Sequence, residues 1–448
     1  MKSQIRNIVF LIAFVCSIFQ GFAQSTSYLN PATSFYANKM IFGSTLVMPT
    51  DSPDSVDVYL LYRLQLNHFL FTNSGNQYVS KYSIELSLAD SFGVVKVSKV
   101  ITDSVKLQFP ITLNDPIQFR INFVTLSTQK ANYTAQIRVI DNYTKNSDKS
   151  TFALNFADLR TQSNAFNNIV FLENKGEYST PIILNNNLRF SSEPIEMILF
   201  VFNNNSDKLN YEITKNYNNE KAIDPWGKFE KHTGQLITNA FVRPIVKNIN
   251  NSIQITFPSE ASLQGPIKES NGRMASITYK DNIFSPGDYL LKIYSNKGDT
   301  SQYNFKVYWE DQPLSLLNIQ YAINISNIFF NEKEMDNIEK GDISEQYRNL
   351  INGWKQYDPA PVTPFNEAMA EFYNRVDYAY KNFSTFSEKN GANTDKGKIY
   401  ILYGPPDKTV EKFKNGKLYE TWIYSTLIKE FTFETIESGV FKIVDIKE

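Results

Sequence analysis

The feature that most constrains this fold is the alternation of apolar and polar residues from Gln24 to about Trp309. Runs such as 56–66, 81–88 and 118–126 repeat with a period of two, and clusters of Asn, Asp, Ser and Gly separate them. Because successive side chains of a strand point to opposite faces of a sheet, this period predicts strands that each bury one face. Helical periodicity is nearly absent here. The sequence therefore predicts an all-β region that fills the first two thirds of the chain.

A strand–turn–strand pattern occurs twice in this region, over Tyr133–Phe156 and over Ser285–Trp309. Each pattern resembles the closing antiparallel hairpin of an immunoglobulin-like or fibronectin-like sandwich. Two such endings predict two β-sandwich domains, at 24–160 and 161–312, with the boundary between them at about 158–168.

The last part of the chain, 313–448, changes to a helical period and then returns to a strand period. Asp342 and Glu345 have the spacing of a capping box, and Thr363 followed by a proline predicts the start of a further helix. The Asn415-Gly416 pair between alternating residues predicts a two-residue hairpin. We therefore expect a C-terminal α+β domain with helices followed by an antiparallel meander.

Within this domain, the segment GANTDKGKIYILYGPPD at 391–407 is the most strongly specified. Its apolar run Ile399–Tyr403 predicts a short strand. That strand would end at the Gly-Pro-Pro sequence, because proline cannot donate to a β-ladder. Asp395 lies in the polar turn before the run, and Asp407 follows the prolines. The segment is thus expected to be a strand between two loops of fixed shape.

The first 23 residues have the pattern of a secretory signal peptide. A basic start, an apolar run at 8–19 and small residues on both sides of Phe22 predict cleavage before Gln24. The run is shorter than the about 20 apolar residues that span a membrane. We therefore predict an exported protein, in the periplasm or associated with the outer membrane.

Cleavage there would remove Cys16, the only cysteine. The remaining chain would have no disulfide and no thiolate metal site. No second apolar stretch of membrane-spanning length occurs, so peripheral membrane association is the closest contact with a bilayer that we expect. The net charge of −1 gives no electrostatic signature for nucleic acid.

Four motifs in the C-terminal region, in matching order and spacing, resemble the GWxTD domain of exported Bacteroidetes proteins. The shared residues are Trp354, Asp358, Pro359, Pro361 and Thr363; Asn366, Glu367, Phe372–Val376 and Ala379; the segment 391–407; and Glu420, Trp422 and Tyr424. The resemblance implies export and two preceding β-sandwiches, and it assigns no activity. The chain departs from the family pattern at Ala392, where the family has tryptophan, and at Lys396, where it has arginine. Alanine at the first position suggests a domain surface or a groove.

Eight residues in this domain are candidates for binding or for positioning loops: Arg375, Asp395, Lys396, Tyr403, Asp407, Glu420, Trp422 and Tyr424. Arg375 is expected to form a bridge to Asp395 or Asp407, because a buried guanidinium needs a planar acceptor. The lysines around the segment are expected to solvate a hairpin and protect a sheet edge. The alternative for these lysines is an anionic glycan or a lipid headgroup.

No catalytic constellation accompanies these residues. The two histidines, His68 and His232, lie in the β region outside any recognisable motif, and the sequence predicts no metal site and no cofactor. The leading hypothesis is an envelope scaffold or binding protein with an envelope protein or a surface glycan as partner. The alternative is a hydrolase of surface polysaccharide or peptide that uses Asp395, Asp407 and Glu420 as acid, base or nucleophile.

Overall fold

The computed structural model describes residues 38–50, 52, 54–111, 117–154, 169–201, 208–217, 224–240, 243–257, 273–295, 300–436 and 439–447. These residues form mostly β-sheet, in several antiparallel sheets, with a few helices near the C-terminus. The predicted β-rich class with helices near the C-terminus is therefore confirmed at this level. The predicted signal peptide at 1–23 and the predicted boundary at about 158–168 lie outside the described residues.

The strands before residue 155 form two sheets in the described residues. One sheet has the order β1-β2-β6, and the other has the order β3-β4-β7-β8 with β5 paired to β4. The predicted hairpin at Tyr133–Phe156 is confirmed as the antiparallel pair of β7 and β8. The strands are β1 (Ile41–Pro49), β2 (Ser55–Gln65), β3 (Thr72–Ser74), β4 (Gln77–Ala89), β5 (Val95–Leu107), β6 (Phe119–Gln129), β7 (Tyr133–Asp141) and β8 (Ser147–Leu154).

The strands between residues 169 and 308 form two further sheets, ordered β15-β18-β12-β9-β10-β17-β16 and β11-β20-β19-β13-β14. The predicted hairpin within Ser285–Trp309 is the antiparallel pair of β19 and β20. The strands are β9 (Val170–Asn174), β10 (Ser179–Pro181), β11 (Leu188–Arg189), β12 (Ile195–Val201), β13 (Leu209–Asn216), β14 (His232–Gln235), β15 (Ile237–Ala240), β16 (Ile245–Ile249), β17 (Ser252–Thr256), β18 (Arg273–Tyr279), β19 (Gly287–Ser295) and β20 (Thr300–Tyr308).

The C-terminal helices begin at capping residues, as their sequences indicate. The predicted box of Asp342 and Glu345 is confirmed, and Asn331 forms a second box with Glu334. The predicted cap at Thr363 is wrong: Asn366 caps that helix, because its side chain accepts from the N–H of Met369. The helices are α1 (Ile319–Ser326), α2 (Glu332–Ile338), α3 (Ile343–Trp354), α4 (Glu367–Asn382) and α5 (Asp395–Tyr403).

A four-stranded antiparallel meander closes the domain, as predicted. Its order is β21-β22-β23-β24, and Asn415 and Gly416 both have positive φ in the first hairpin. That conformation is the one a type I′ turn requires. The strands are β21 (Lys408–Lys414), β22 (Lys417–Tyr424), β23 (Lys429–Thr435) and β24 (Phe441–Lys447).

The predicted strand at Ile399–Tyr403 is wrong, because this run is the second half of helix α5. Thr394 has an extended backbone, and its side chain accepts from the N–H of Gly397, as a helix N-cap does. At the other end, Gly404 has φ of +77° and donates to Tyr400. A short apolar run fits a strand and a buried helix equally well, so the residues that flank the run decide its conformation.

An asparagine pair joins the two β regions. Asn185 and Asn186 both have positive φ, which asparagine tolerates better than most residues. The side-chain oxygen of Asn185 accepts from the N–H of Gly43 at 3.0 Å and from the Ser150 hydroxyl at 2.8 Å. Asn186 accepts from the Ser44 hydroxyl at 2.8 Å. These hydrogen bonds thus hold the turn before β11 against strand β1.

Glu310 connects the two β regions just before the helices begin. It is 5% exposed and pairs with Arg63 of β2, and it accepts from Arg189 of β11 at 2.8 Å. Nearby, Phe190 contacts Phe365 edge-on with 5.1 Å between ring centroids. Charged and aromatic contacts therefore hold the two β regions and the helical domain together.

Replacing Glu310 with alanine should leave two arginines at this junction without their shared carboxylate. Because an uncompensated buried charge is costly, we expect the free energy of unfolding to fall by about 3–5 kcal/mol. Urea unfolding checks this. The matched control is Glu193→Ala, whose carboxylate pairs with Lys175 on the surface and should contribute less than about 1 kcal/mol. Equal losses in the two variants would contradict the prediction.

Asp377 of α4 holds the start of the helical domain. Its carboxylate accepts from the backbone N–H groups of Leu314, at 2.5 Å, and Ser315, at 2.9 Å. Burial raises the pKa of Asp377 to about 6, and the hydrogen bonds from Ser315 and Leu314 only partly oppose this effect. The folded protein therefore holds this proton at a pH at which the unfolded chain, with a pKa of about 3.9, has lost it.

This raised pKa predicts that the free energy of unfolding falls as the pH rises through the window from about 4 to 6. Asp377→Asn should remove that part of the pH dependence, because the amide does not titrate. Urea unfolding of both proteins at several pH values across the window measures the difference. The same slope in both proteins would contradict the assignment.

Candidate functional site

The start of helix α5 is built on a close contact between two glycine backbones. A Cβ on Gly397 would collide with the carbonyl oxygen of Gly391, and a Cβ on Gly391 would collide with the carbonyl oxygen of Ala379. The family tryptophan position lies between them, and Ala392 there is fully buried. The expectation that this position is at a surface or groove is therefore wrong. The close backbone contacts of Gly391 and Gly397 place Ala392 in the interior.

Asp395 fastens the first turn of α5 to the last strand of the meander. Its carboxylate accepts from the backbone N–H of Ile443 at 3.0 Å and lies 3.4 Å from the ammonium group of Lys442. An acidic side chain in the first turn also interacts favourably with the helix dipole. Asp395 thus acts as a connection between α5 and β24.

Lys396 and Glu420 form an ion pair under the sheet. Their charged atoms are 2.5 Å apart, with side-chain exposures of 10% and 14%. The second oxygen of Glu420 accepts from the indole N–H of Trp422 at 2.6 Å. The Lys396 ammonium group lies 3.3 Å from the ring centroid of Phe441. Burial lowers the pKa of Lys396, and Glu420 opposes that shift.

Arg375 does not form the predicted bridge to Asp395 or Asp407. Its guanidinium pairs instead with Glu371, one turn earlier on α4, at 2.7 Å. The same group faces the carbonyl oxygens of Ile401 and Leu402 at 3.5 and 3.4 Å. These carbonyls belong to the last turn of α5, where a cation interacts favourably with the helix dipole. Arg375 therefore supports the end of the helix.

Tyr403 and Tyr424 pack inward beneath the Gly-Pro-Pro loop. Tyr403 contacts Phe431 with 5.2 Å between ring centroids, and the Tyr424 hydroxyl donates to the carbonyl of Gly404 at 2.8 Å. Burial raises the pKa of Tyr424. Asp407, which is exposed, accepts from the N–H of Ser425 at 2.6 Å. The loop and the β22–β23 turn are thereby fixed to each other.

The candidate carboxylates thus have separate partners in the structure. Asp395 binds β24, Glu420 binds Lys396, and Asp407 binds the β22–β23 turn. A small cavity of about 190 Å³ lies beside Lys396. Its lining residues are Asn382, Phe383, Ser384, Thr385, Thr394, Lys396, Gly439 and Phe441. Neither Asp395 nor Asp407 lines this cavity, so it does not bring the three acids together.

The remaining lysines of the segment lie on the surface. Those of β21 are exposed along the edge of the meander. Lys417 pairs with Glu434 across β22 and β23. The lysines at 408, 412 and 414 thus occupy the sheet edge, where the sequence predicted them.

Sequence reasoning missed the turn that joins β22 and β23. Leu427 is 49% exposed and Ile428 is 78% exposed, and Ile428 has φ of +55°. Positive φ is rare for a β-branched residue and marks a turn whose conformation its surroundings impose. The sequence signal that could have identified this turn is the pair of apolar residues, Leu427 and Ile428, between two strands. Asp407 supplies part of that constraint, through its hydrogen bond to Ser425.

Within the described residues, no helix is long and apolar enough to cross a membrane. In the same part of the chain, no group of three or more His, Cys, Asp or Glu side chains is arranged to hold a metal ion.

Comparison with known proteins identifies the C-terminal domain. Residues 331–441 match the GWxTD domain. The chain is therefore a GWxTD domain-containing protein, as its motifs indicated. No curated protein matches the chain.

Solved structures give only weak similarities. The purple acid phosphatase PPD1 from yellow lupin (Lupinus luteus) seeds is 11% identical with a TM-score of 0.18, over 59% of this chain and 40% of that chain. The C-terminal domain of the Streptococcus agalactiae AgI/II polypeptide BspA is 10% identical with a TM-score of 0.15, over 60% and 99%. The BSP domain of a biofilm associated protein is 9% identical with a TM-score of 0.19, over 92% and 77%. Scores this low support no argument about fold or activity.

Gly397→Ala should destabilise the domain, although alanine ordinarily favours a helix. The new Cβ would collide with the carbonyl of Gly391, so we expect a loss of about 1–3 kcal/mol in the free energy of unfolding. Gly353→Ala in α3 is the control, since its Cβ would make an ordinary contact with Ile338 at 3.4 Å. That variant should gain up to about 1 kcal/mol. Urea unfolding measures both, and equal gains would contradict the close contact.

Proposed function

We propose that this chain is an exported cell-envelope scaffold or binding protein whose GWxTD domain carries the recognition surface. The proposed export rests on the basic start, apolar run and small-residue exit of residues 1–23. The proposed location is the periplasm or the outer membrane. The proposed partner is an envelope protein, with a surface glycan as the alternative.

The β regions are proposed to be two immunoglobulin-like or fibronectin-like sandwiches that act as spacers. Two observations support this. The hydroxyl of Tyr289, the first buried residue in the alternating pattern of β19, donates to the carbonyl of Ser285 at 2.9 Å. A tyrosine that bonds back a few residues upstream at the start of a late strand is typical of such sandwiches. Each region also ends in an antiparallel hairpin.

The observation that carries the recognition proposal is the exposed turn at Leu427 and Ile428. An exposed isoleucine at positive φ costs conformational energy and contributes little to the core, so a contact outside the chain is the better explanation for this residue at this position. Leu402, at the end of α5, is also partly exposed. Because neighbouring exposed apolar side chains mark interaction sites between proteins, this turn favours a protein partner.

The hydrolase alternative has less support. General acid–base catalysis by two carboxyl groups needs both to face a common cleft. Asp395 instead accepts a backbone N–H of strand β24, Asp407 accepts one of the β22–β23 turn, and Glu420 is paired with a buried lysine. These arrangements support carboxylates that hold the shape of the domain.

Ile428→Asn tests the proposal. Asparagine adopts positive φ more readily, so stability should stay equal or rise. Capture of the partner by the purified protein from envelope extracts should fall about tenfold, as expected when an interface anchor is removed. The control is Phe413→Asn, at the opposite end of the same sheet, where the side chain is 75% exposed. Equal capture by both variants and the unaltered protein would contradict the assigned surface.

Two further results separate the parts of the proposal. After osmotic shock, the protein should appear either in the released periplasmic fraction or in the membrane pellet. Recovery from the cytoplasmic fraction would contradict export. Loss of capture after treatment of the extract with glycosidases, but not with proteases, would replace the protein partner with a glycan.

A further inference from the structure

A second surface, distant in sequence from the GWxTD domain, lies along strand β5. Within the described residues this strand pairs only with β4, and its thirteen residues form one edge of their sheet. Val97, Ile101 and Val105 are half-buried on the side that packs against the core. On the other side, Val100 is 66% exposed. A long edge with unpaired backbone groups is a template for another strand.

Exposed apolar residues gather at both ends of this edge. Val95 is 52% exposed at its start, and the preceding turn presents Phe92 at 90% and Val94 at 53%. Beyond the other end, Phe109 is 77% exposed. Large apolar side chains in this arrangement mark an interaction surface. The edge therefore offers both backbone hydrogen bonds and apolar contacts.

The charges along β5 define which strand fits. Asp103 is its only acidic residue, and Lys99 is four positions earlier. Asp103 accepts from Tyr82 and lies 3.6 Å from Arg120, yet its side chain remains 38% exposed. An antiparallel strand of the same sequence, centred on Ile101, would place Lys99 opposite Asp103 of the second copy. By symmetry the same pair forms twice.

The same register also matches the other residues of the strand. Val97 would face Val105 of the second copy, on the side of the core. Val100 would face Thr102 on the outer side. The regular register ends at Val97, because β5 has a bulge at Lys96, where its pairing with β4 shifts. The turn bearing Phe92 lies beyond that end, towards Phe109 of the second copy. The antiparallel arrangement therefore brings together the exposed apolar residues that lie beyond the two ends of the strand.

One contact in this arrangement is unfavourable, since Lys96, the extra residue of the bulge, would lie near Lys106 of the second copy. Lys96 already pairs with Asp90 of its own chain at 3.0 Å, with its side chain 50% exposed. Like charges at exposed strand ends are screened by solvent and salt, so this cost is small beside the central pairs.

We propose that β5 is the interface of a two-fold symmetric dimer, in which two copies of this chain pair antiparallel about Ile101 and join their sheets. The partner is a second copy, because the strand complements itself in charge and in apolar pattern. Such an interface is isologous, and it leaves both GWxTD domains available. It is independent of the proposed recognition turn.

Sedimentation velocity of the chain from Gln24 onward, over a range of concentrations, should show a reversible monomer–dimer equilibrium. Lys99→Asp should raise the dissociation constant of the dimer at least about tenfold, because aspartate would face Asp103 of the second copy twice. The control is Lys247→Asp, the same charge change at an exposed lysine on the edge strand β16. It should leave the equilibrium unchanged.

A cysteine cross-link tests the register. This part of the chain has no cysteine of its own, and Ile101 lies on the proposed two-fold axis. Opposed residues in antiparallel strands have Cα atoms about 4.5–5.5 Å apart, which a disulfide can span. Ile101→Cys should therefore form a disulfide-linked dimer under mild oxidation, and Ile249→Cys on β16 should not. A monomer at every concentration, equal effects of the two lysine variants, or equal cross-linking of the two cysteine variants would overturn the proposal.

Discussion

The C-terminal domain depends on the contact between the backbones of Gly391 and Gly397. This contact leaves no room for a Cβ on Gly397, and the backbone at the end of α4 leaves none on Gly391. The two glycines therefore bring the start of helix α5 close to the end of α4. Thr394 then caps the helix. From this fixed start, Asp395 reaches β24 and Lys396 reaches β22. The segment at 391–396, which contains the position of the GWxTD motif, therefore connects the helices of the domain to its meander.

Buried carboxylates also connect the separate parts of the chain. Glu310 pairs with arginines from both β regions, and Asp377 receives two N–H groups at the start of the helical domain. These carboxylates lie at junctions and are largely buried, so each contributes through the charges and N–H groups that it satisfies. Across the described residues, acidic side chains with these partners connect elements that are far apart in sequence.

The sequence predicted the β regions and the local hairpin better than it predicted helix α5 and the long-range contacts around it. Alternation identified the β regions, and Asn415-Gly416 identified a hairpin, because these signals are local. The strand predicted at Ile399–Tyr403 failed, since a five-residue apolar run carries no period and Thr394 was not recognised as a cap. The burial of Ala392 depends on contacts with α4. The partner of Arg375 likewise depends on where two helices meet.

The central claim is that Asp395, Asp407 and Glu420, the acidic residues near α5, stabilise the fold of the domain. Its most direct test is a double-mutant cycle on Lys396 and Glu420, measured by urea unfolding. If the pair is structural, Glu420→Gln alone should lower the free energy of unfolding by about 3 kcal/mol, because Lys396 then stays buried without its carboxylate. Adding Lys396→Met in the same chain should recover at least about half of that loss. A loss below about 0.5 kcal/mol for Glu420→Gln, with no coupling between the two positions, would contradict the account.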